Sequence, residues 1–124
     1  MRATLLMRAT LPGVATALLA LDVAFAAAKL TPKEIQTEFF DGKTFTAATT
    51  SGTKFKMTFT ADGKMKRHPI GGGKNGSDGT WKLSSDGFCR TWKGAKEECF
   101  TIVSAGTNKW SVLKGSGIVA TWSK

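Results

Sequence analysis

This chain of 124 residues has no tyrosine, a single histidine and two cysteines. One histidine, His68, leaves general acid–base chemistry without its usual agent and rules out most histidine-built metal sites. A structural zinc site needs four ligands, and Cys89, Cys99 and His68 do not make that number. Acids are also few, nine against 18 lysines and arginines. No two carboxylates share an inward face, because Glu97 and Glu98 are neighbours that point to opposite sides of a strand. Serine and threonine are plentiful, yet no base stands ready to activate one. These shortages argue against hydrolysis and against a metal or cofactor, so a non-enzymatic protein is expected.

Long apolar runs are absent beyond residue 28. The single candidate, "LPGVATALLALDVAFAAA" (11–28), follows Arg2 and Arg8 and ends in small residues. Basic start, apolar middle and small end are the parts of a secretory signal peptide, and Ala24-Phe25-Ala26 fits cleavage after Ala26, with Ala28 as the second position. Pro12, Gly13 and Asp22 interrupt the run, which is short for a span of about 20 residues. No transmembrane segment is expected in the mature chain. The repeated "MRAT" also allows a start at Met7. Residues 1–28 thus read as a leader, residues 29–124 as one domain, and the location as periplasmic or secreted. The whole chain carries +9; the leader takes Arg2, Arg8 and Asp22 with it and leaves +8. Such a balance favours acidic partners such as acidic polysaccharide, lipopolysaccharide or membrane surfaces, and it also keeps a monomer soluble.

Only "LTPKEIQTEFF" (30–40) has helical signals. Thr31 suits the N-cap, Pro32 the first helical position, and Glu34 completes a capping box. Ile35, Phe39 and Leu30 would form its buried stripe, ended by Asp41-Gly42. After Gly42 the period changes to two. "TKFKMTFT" (53–60) alternates Phe55, Met57 and Phe59 with Lys54, Lys56 and Thr58, as a half-buried strand does. Seven more runs resemble it: 43–49, 64–68, 79–84, 88–93, 98–104, 109–114 and 117–123. Asp-Gly pairs and single glycines punctuate them. Eight strands with mostly short links imply antiparallel neighbours in chain order, and a meander of that length closes on itself to remove its edges. The predicted fold is all-β: a small antiparallel meander barrel of calycin or lipocalin plan, preceded by one short helix. Its inward face would hold Phe45, Phe55, Met57, Phe59, Met65, Trp81, Leu83, Phe88, Trp92, Phe100, Ile102, Trp110, Val112, Ile118, Ala120 and Trp122. These aromatics either fill the lumen, as is usual in small barrels, or line a ligand pocket.

The cysteines lie in "CRTWKGAKEEC" (89–99). On a hairpin turning at Gly94-Ala95, Cys89 falls opposite Cys99, Phe88 opposite Phe100 and Arg90 opposite Glu98. Directly opposed residues stand about 4.5–5.5 Å apart at Cβ, within reach of a disulfide. In an exported protein that pair oxidises into a staple. Phe88, Arg90 and Trp92 share the other face. Arg90 therefore points inward beside Trp92 with Glu98 across from it, either as a wet ion pair or as a grip for an anionic head group. Trp81, Arg90, Trp92, Glu98, Trp110 and Trp122 are the candidate interior ligand residues.

"GGGKNGSDG" (71–79) lacks the Gly-Lys-Ser/Thr ending and the strand-to-helix setting of a phosphate loop, and reads as a flexible connection. Lys54, Lys56, Lys64 and Lys66 gather on the outer face of one hairpin, with His68 beside them, and are the candidate polyanion contacts. Their phenylalanines point the other way, which argues against stacking bases and so against a specific nucleic acid.

"LTPKEI", "DGKTFTA", "FTADGKM", "GTWKLSSDGFCRTW" and "EECFTIV" span nearly all of residues 30–104. In them the chain resembles an uncharacterised family of small exported proteins of rhizobia and related alpha-proteobacteria. That resemblance implies export and a small barrel but no assigned activity, cofactor or site. Gly79-Thr80-Trp81 also echoes the lipocalin Gly-x-Trp signature, here mid-chain rather than on the first strand. The expected function is a non-enzymatic exported barrel binding a small hydrophobic or amphipathic ligand. The alternatives are a basic envelope module contacting polyanions and a small secreted hydrolase inhibitor.

Overall fold

A computed structural model describes residues 28–71 and 76–124. The leader reading therefore lies almost wholly outside the described residues. One helix, α1 (Pro32–Phe39), precedes eight strands: β1 (Thr44–Thr49), β2 (Lys54–Phe59), β3 (Lys64–Pro69), β4 (Ser77–Leu83), β5 (Phe88–Trp92), β6 (Glu98–Gly106), β7 (Lys109–Lys114) and β8 (Gly117–Ser123). Each strand pairs antiparallel with the next, and β8 returns to β1 to close the barrel. The ladder has the expected registers: Phe59 faces Met65, Lys56 faces His68, and Cys89 faces Cys99.

The capping box is formed. Thr31 Oγ1 accepts from the Glu34 amide at 3.1 Å, and Glu34 Oε1 accepts from the Thr31 amide at 2.8 Å. The helix starts at Pro32, as the capping signals indicate, and Thr31 before it is extended (φ −71°, ψ 159°). Leu30 instead belongs to an extended segment lying along β6. Its amide donates to Ile102 O (2.8 Å), and the Ser104 amide donates to Ala28 O (3.1 Å). β5 pairs only as far as Phe88↔Phe100, so residues 28–30 cover the edge that the longer β6 would otherwise expose.

Helix α1 covers the barrel end that also carries the β2–β3, β4–β5 and β6–β7 turns. Ile35 and Phe39 are fully buried on its inner face. The sequence pattern did not single out Phe40. It sits at the C-cap with φ −103° and ψ 45°, and leaving the helical path turns its side chain inward as well. Phe39 packs against Phe45, Trp110 and Trp122 at centroid distances of 5.1, 4.8 and 4.9 Å. Phe40 stacks on Phe59 (4.5 Å, 7° between planes) and lies 4.3 Å from Trp81 and 5.5 Å from Phe88. With Trp122, Phe59, Phe88 and Met65 also sealed, the lumen is filled by side chains rather than open.

Two expectations need correction. Ile118 is 55% exposed rather than inward. A bulge pairs Val112 with Ala120 but Leu113 with Ile118, so Val119 is the extra residue and Ile118 turns outward. The glycine-rich connection is also shorter than 71–79. Ser77, Asp78 and Gly79 already pair with Arg67, Lys66 and Met65 as the start of β4; the remainder of that stretch includes residues 72–75, which are not described.

Cys89 and Cys99 form the disulfide. Cys99 is exposed, but Cys89 is only 4% exposed. The Lys82–Glu97 ion pair (3.1 Å) reaches from β4 to the β5–β6 link, and the Glu97 carboxylate lies within 4.8 Å of both sulfurs. Close approach of a different kind fixes Gly87, where a β-carbon would stand 1.9 Å from Phe100 O.

Two measurements check this architecture. Phe40→Ala should cost about 3–5 kcal/mol of unfolding free energy in urea, since the filled lumen cannot collapse around the cavity. Replacing both cysteines by serine should cost roughly 2–3 kcal/mol while leaving the far-UV spectrum unchanged.

Candidate functional site

The end opposite α1, carrying the β1–β2, β3–β4, β5–β6 and β7–β8 links, is the barrel mouth. A cavity of about 130 Å³ opens there; Trp122, Met57 and Phe100 are among its lining residues, and Arg67, Arg90, Glu98 and Lys114 reach into it. Strand alternation explains the cations. Arg90 continues the inward row of Phe88 on β5, and Arg67 continues that of Met65 on β3, where Met57 and Ser77 flank it in the ladder.

Both guanidiniums lie over the same indole. Arg67 Cζ is 4.3 Å from the Trp92 centroid and 4.7 Å from that of Phe55. Arg90 Cζ is 5.4 Å from Trp92 and 4.6 Å from Phe100. Trp92 can lean this way because Gly79 is its cross-strand partner. A β-carbon at 79 would meet Thr91 O at 2.6 Å and Trp92 Cε3 at 3.0 Å. Ring quadrupoles attract such cations but do not neutralise them.

Counter-charge is scarce. Glu98 is the one carboxylate of the described residues at the mouth cavity, and its nearer partner is Lys114 at 2.7 Å; Arg90 stands 3.9 Å away. Arg67 has no carboxylate within ion-pair distance among the described residues. Burial lowers the pKa of Arg67. Burial lowers that of Arg90 too, with Arg67's charge adding to the effect and Glu98 opposing it. Arg90 Nε and Trp92 Nε1 are buried without a hydrogen-bond partner among the described residues. The mouth thus holds three cations and one carboxylate in a partly dehydrated recess, an arrangement that attracts an anion.

Of the six interior residues singled out in the sequence, Arg90, Trp92 and Glu98 meet at this mouth and Trp122 forms part of its floor. Trp81 and Trp110 belong to the helix end. The Trp81 indole donates to Thr60 O at 2.8 Å, and Trp110 packs edge-on against Phe39. Arg67 was missed, although its parity with Met65 in "KMKRH" was the available signal. Lys54, Lys56, Lys64 and Lys66 share the outer face and make no ion pair among the described residues. The one cluster of possible metal ligands among the described residues, Cys89, Glu97 and Cys99, has both sulfurs committed to the disulfide. No helix of the described residues is long and apolar enough to cross a membrane.

Comparison with protein-family models, with curated proteins and with solved structures gives no match to this chain.

The Lys114 hydrogen bond is the largest influence on Glu98 and holds its carboxyl below the ordinary value of 4.5, helped by the charges of Lys114 and Arg90 and opposed by burial. Its stabilisation is therefore full above pH 4.5 and is lost as pH falls through the lower folded-state value. Urea melts should show Glu98→Gln less stable than the parent at pH 7. The two curves should converge as the pH drops well below 4.5, where the parent's own carboxyl is protonated.

Proposed function

We propose that this protein is a non-enzymatic binding barrel whose mouth takes the anionic group of a small amphipathic ligand. The observation that carries the reading is the Arg67–Trp92–Arg90 cluster. Two partly buried guanidiniums share one indole and, with Lys114, have only one carboxylate among them within the described residues. Nothing in the packing requires two such charges, since well-packed apolar side chains of similar volume are usually as stable or more so. An incoming carboxylate, sulfate or phosphate would satisfy buried donors and relieve the repulsion between the arginines.

The size of the recess limits the ligand. About 130 Å³ falls below the roughly 300 Å³ of ordinary small-molecule sites. The anionic head enters, then, while any apolar tail lies across the rim over Phe55 and Val119. A wholly hydrophobic ligand enclosed in the lumen does not fit this packing. Export to the periplasm or medium is part of the proposal, supported by the leader-like residues 1–28 and by a disulfide, which persists in oxidising compartments.

Octanoate and octyl sulfate titrated into the protein should change tryptophan fluorescence saturably, whereas octanol should not. Arg67→Met and Arg90→Met should abolish that response and raise the stability of the free protein by on the order of 1 kcal/mol or more. Equal responses to octanol, or unaltered binding in both variants, would reject the proposal.

A further inference from the structure

A second recess lies outside the barrel and shares only Trp92 with the mouth cluster. On the outer face, β3, β4 and β5 align two rows of side chains. Lys64 pairs with Thr80, and Thr80 with Thr91. Lys66 pairs with Asp78, and the Lys93 amide donates to Asp78 O at 3.0 Å, which draws Lys93 into the same row. The middle strand thus presents short side chains, Asp78 and Thr80, between long ones. The result is a trough of about 610 Å³, with Lys64 and Lys66 on one side and Lys93 on the other. These three lysines make no ion pair among the described residues. Lys82, one row further along β4, is instead paired with Glu97.

From this arrangement we infer that the β3–β5 face is a binding groove for an acidic polysaccharide, with ammonium groups along the walls and hydrogen-bonding groups on the floor. The chemistry selects that ligand among polyanions. Threonine hydroxyls and the Asp78 carboxylate suit a chain rich in hydroxyl groups, because Asp78 accepts hydrogen bonds that a phosphodiester chain cannot donate. Single-stranded nucleic acid needs a free aromatic face for its bases, and the one indole bordering the trough, Trp92, already carries Arg67 at 4.3 Å. Lys54 and Lys56 on β2 extend the positive field beside the groove without lining it, and Lys56 Nζ is engaged with Thr46 Oγ1 at 3.2 Å.

The test uses the intact disulfide-bonded protein with oligogalacturonate as probe, and dextran oligomers and single-stranded DNA as comparators. Oligogalacturonate should bind in a salt-sensitive way, dextran should not, and DNA should bind more weakly. Lys66→Glu with Lys93→Glu should lower uronate affinity about tenfold or more, well beyond the effect of the charge-matched pair Lys43→Glu with Lys109→Glu at the helix end. Asp78→Ala should weaken uronate binding several-fold by removing a hydroxyl acceptor. Tighter binding in Asp78→Ala, equal losses in the two lysine pairs, or DNA binding as tight as uronate would overturn the proposal. The octanoate response reports on the mouth alone, so failure of either site is read separately.

Discussion

The structure depends on two consecutive phenylalanines pressed into one end of a barrel. Phe39 and Phe40 leave the helix in different directions and divide the aromatic core between them, one toward Trp122 and Trp110, the other toward Phe59, Trp81 and Phe88. The strands already turn many large apolar residues inward, and the two rings of the helix complete the packing at that end of the barrel. Residues 28–30 serve the same join from outside by covering the edge of β6. Helix and edge segment together make the N-terminal part of the described chain integral to the fold.

Filling one end determines what the other can do. With the lumen solid, only the last layer of inward residues remains accessible, and that layer holds Arg67 and Arg90 rather than more apolar side chains. Their stacking on Phe55, Trp92 and Phe100 recovers part of the lost hydration but leaves charge and donors unsatisfied. Glu98 offsets little of this because Lys114 holds it more closely than Arg90 does. The mouth is thus where charges and donors of the described residues outnumber their partners.

Much of this was legible in the amino-acid order. Perfect alternation in "KFKMTF" and the opposed cysteines reflect the strict two-residue period, which fixes face and register together. Thr31, Pro32 and Glu34 announced the helix start because capping is local chemistry. What escaped had non-local causes. Phe40 lies one residue past the helical stripe, and only the turn out of the helix aims it inward. Ile118 follows the period on paper, but a bulge at Val119 reverses its side. Arg67 was masked by the surrounding basic residues of "KMKRH", since composition suggested a solvated strand where parity pointed to the interior. Lys93 joins the outer groove only through the β4 backbone, a neighbour that no local pattern specifies.

Chemical-shift mapping of the isotope-labelled protein with octanoate tests the central claim most directly. A solid lumen with a charged mouth predicts that shifts concentrate on Arg67, Arg90, Trp92 and Val119 while the rings of Phe39, Phe40 and Phe59 stay unmoved. Perturbations centred on those three rings would mean that the ligand enters the core and that the helix does not seal it.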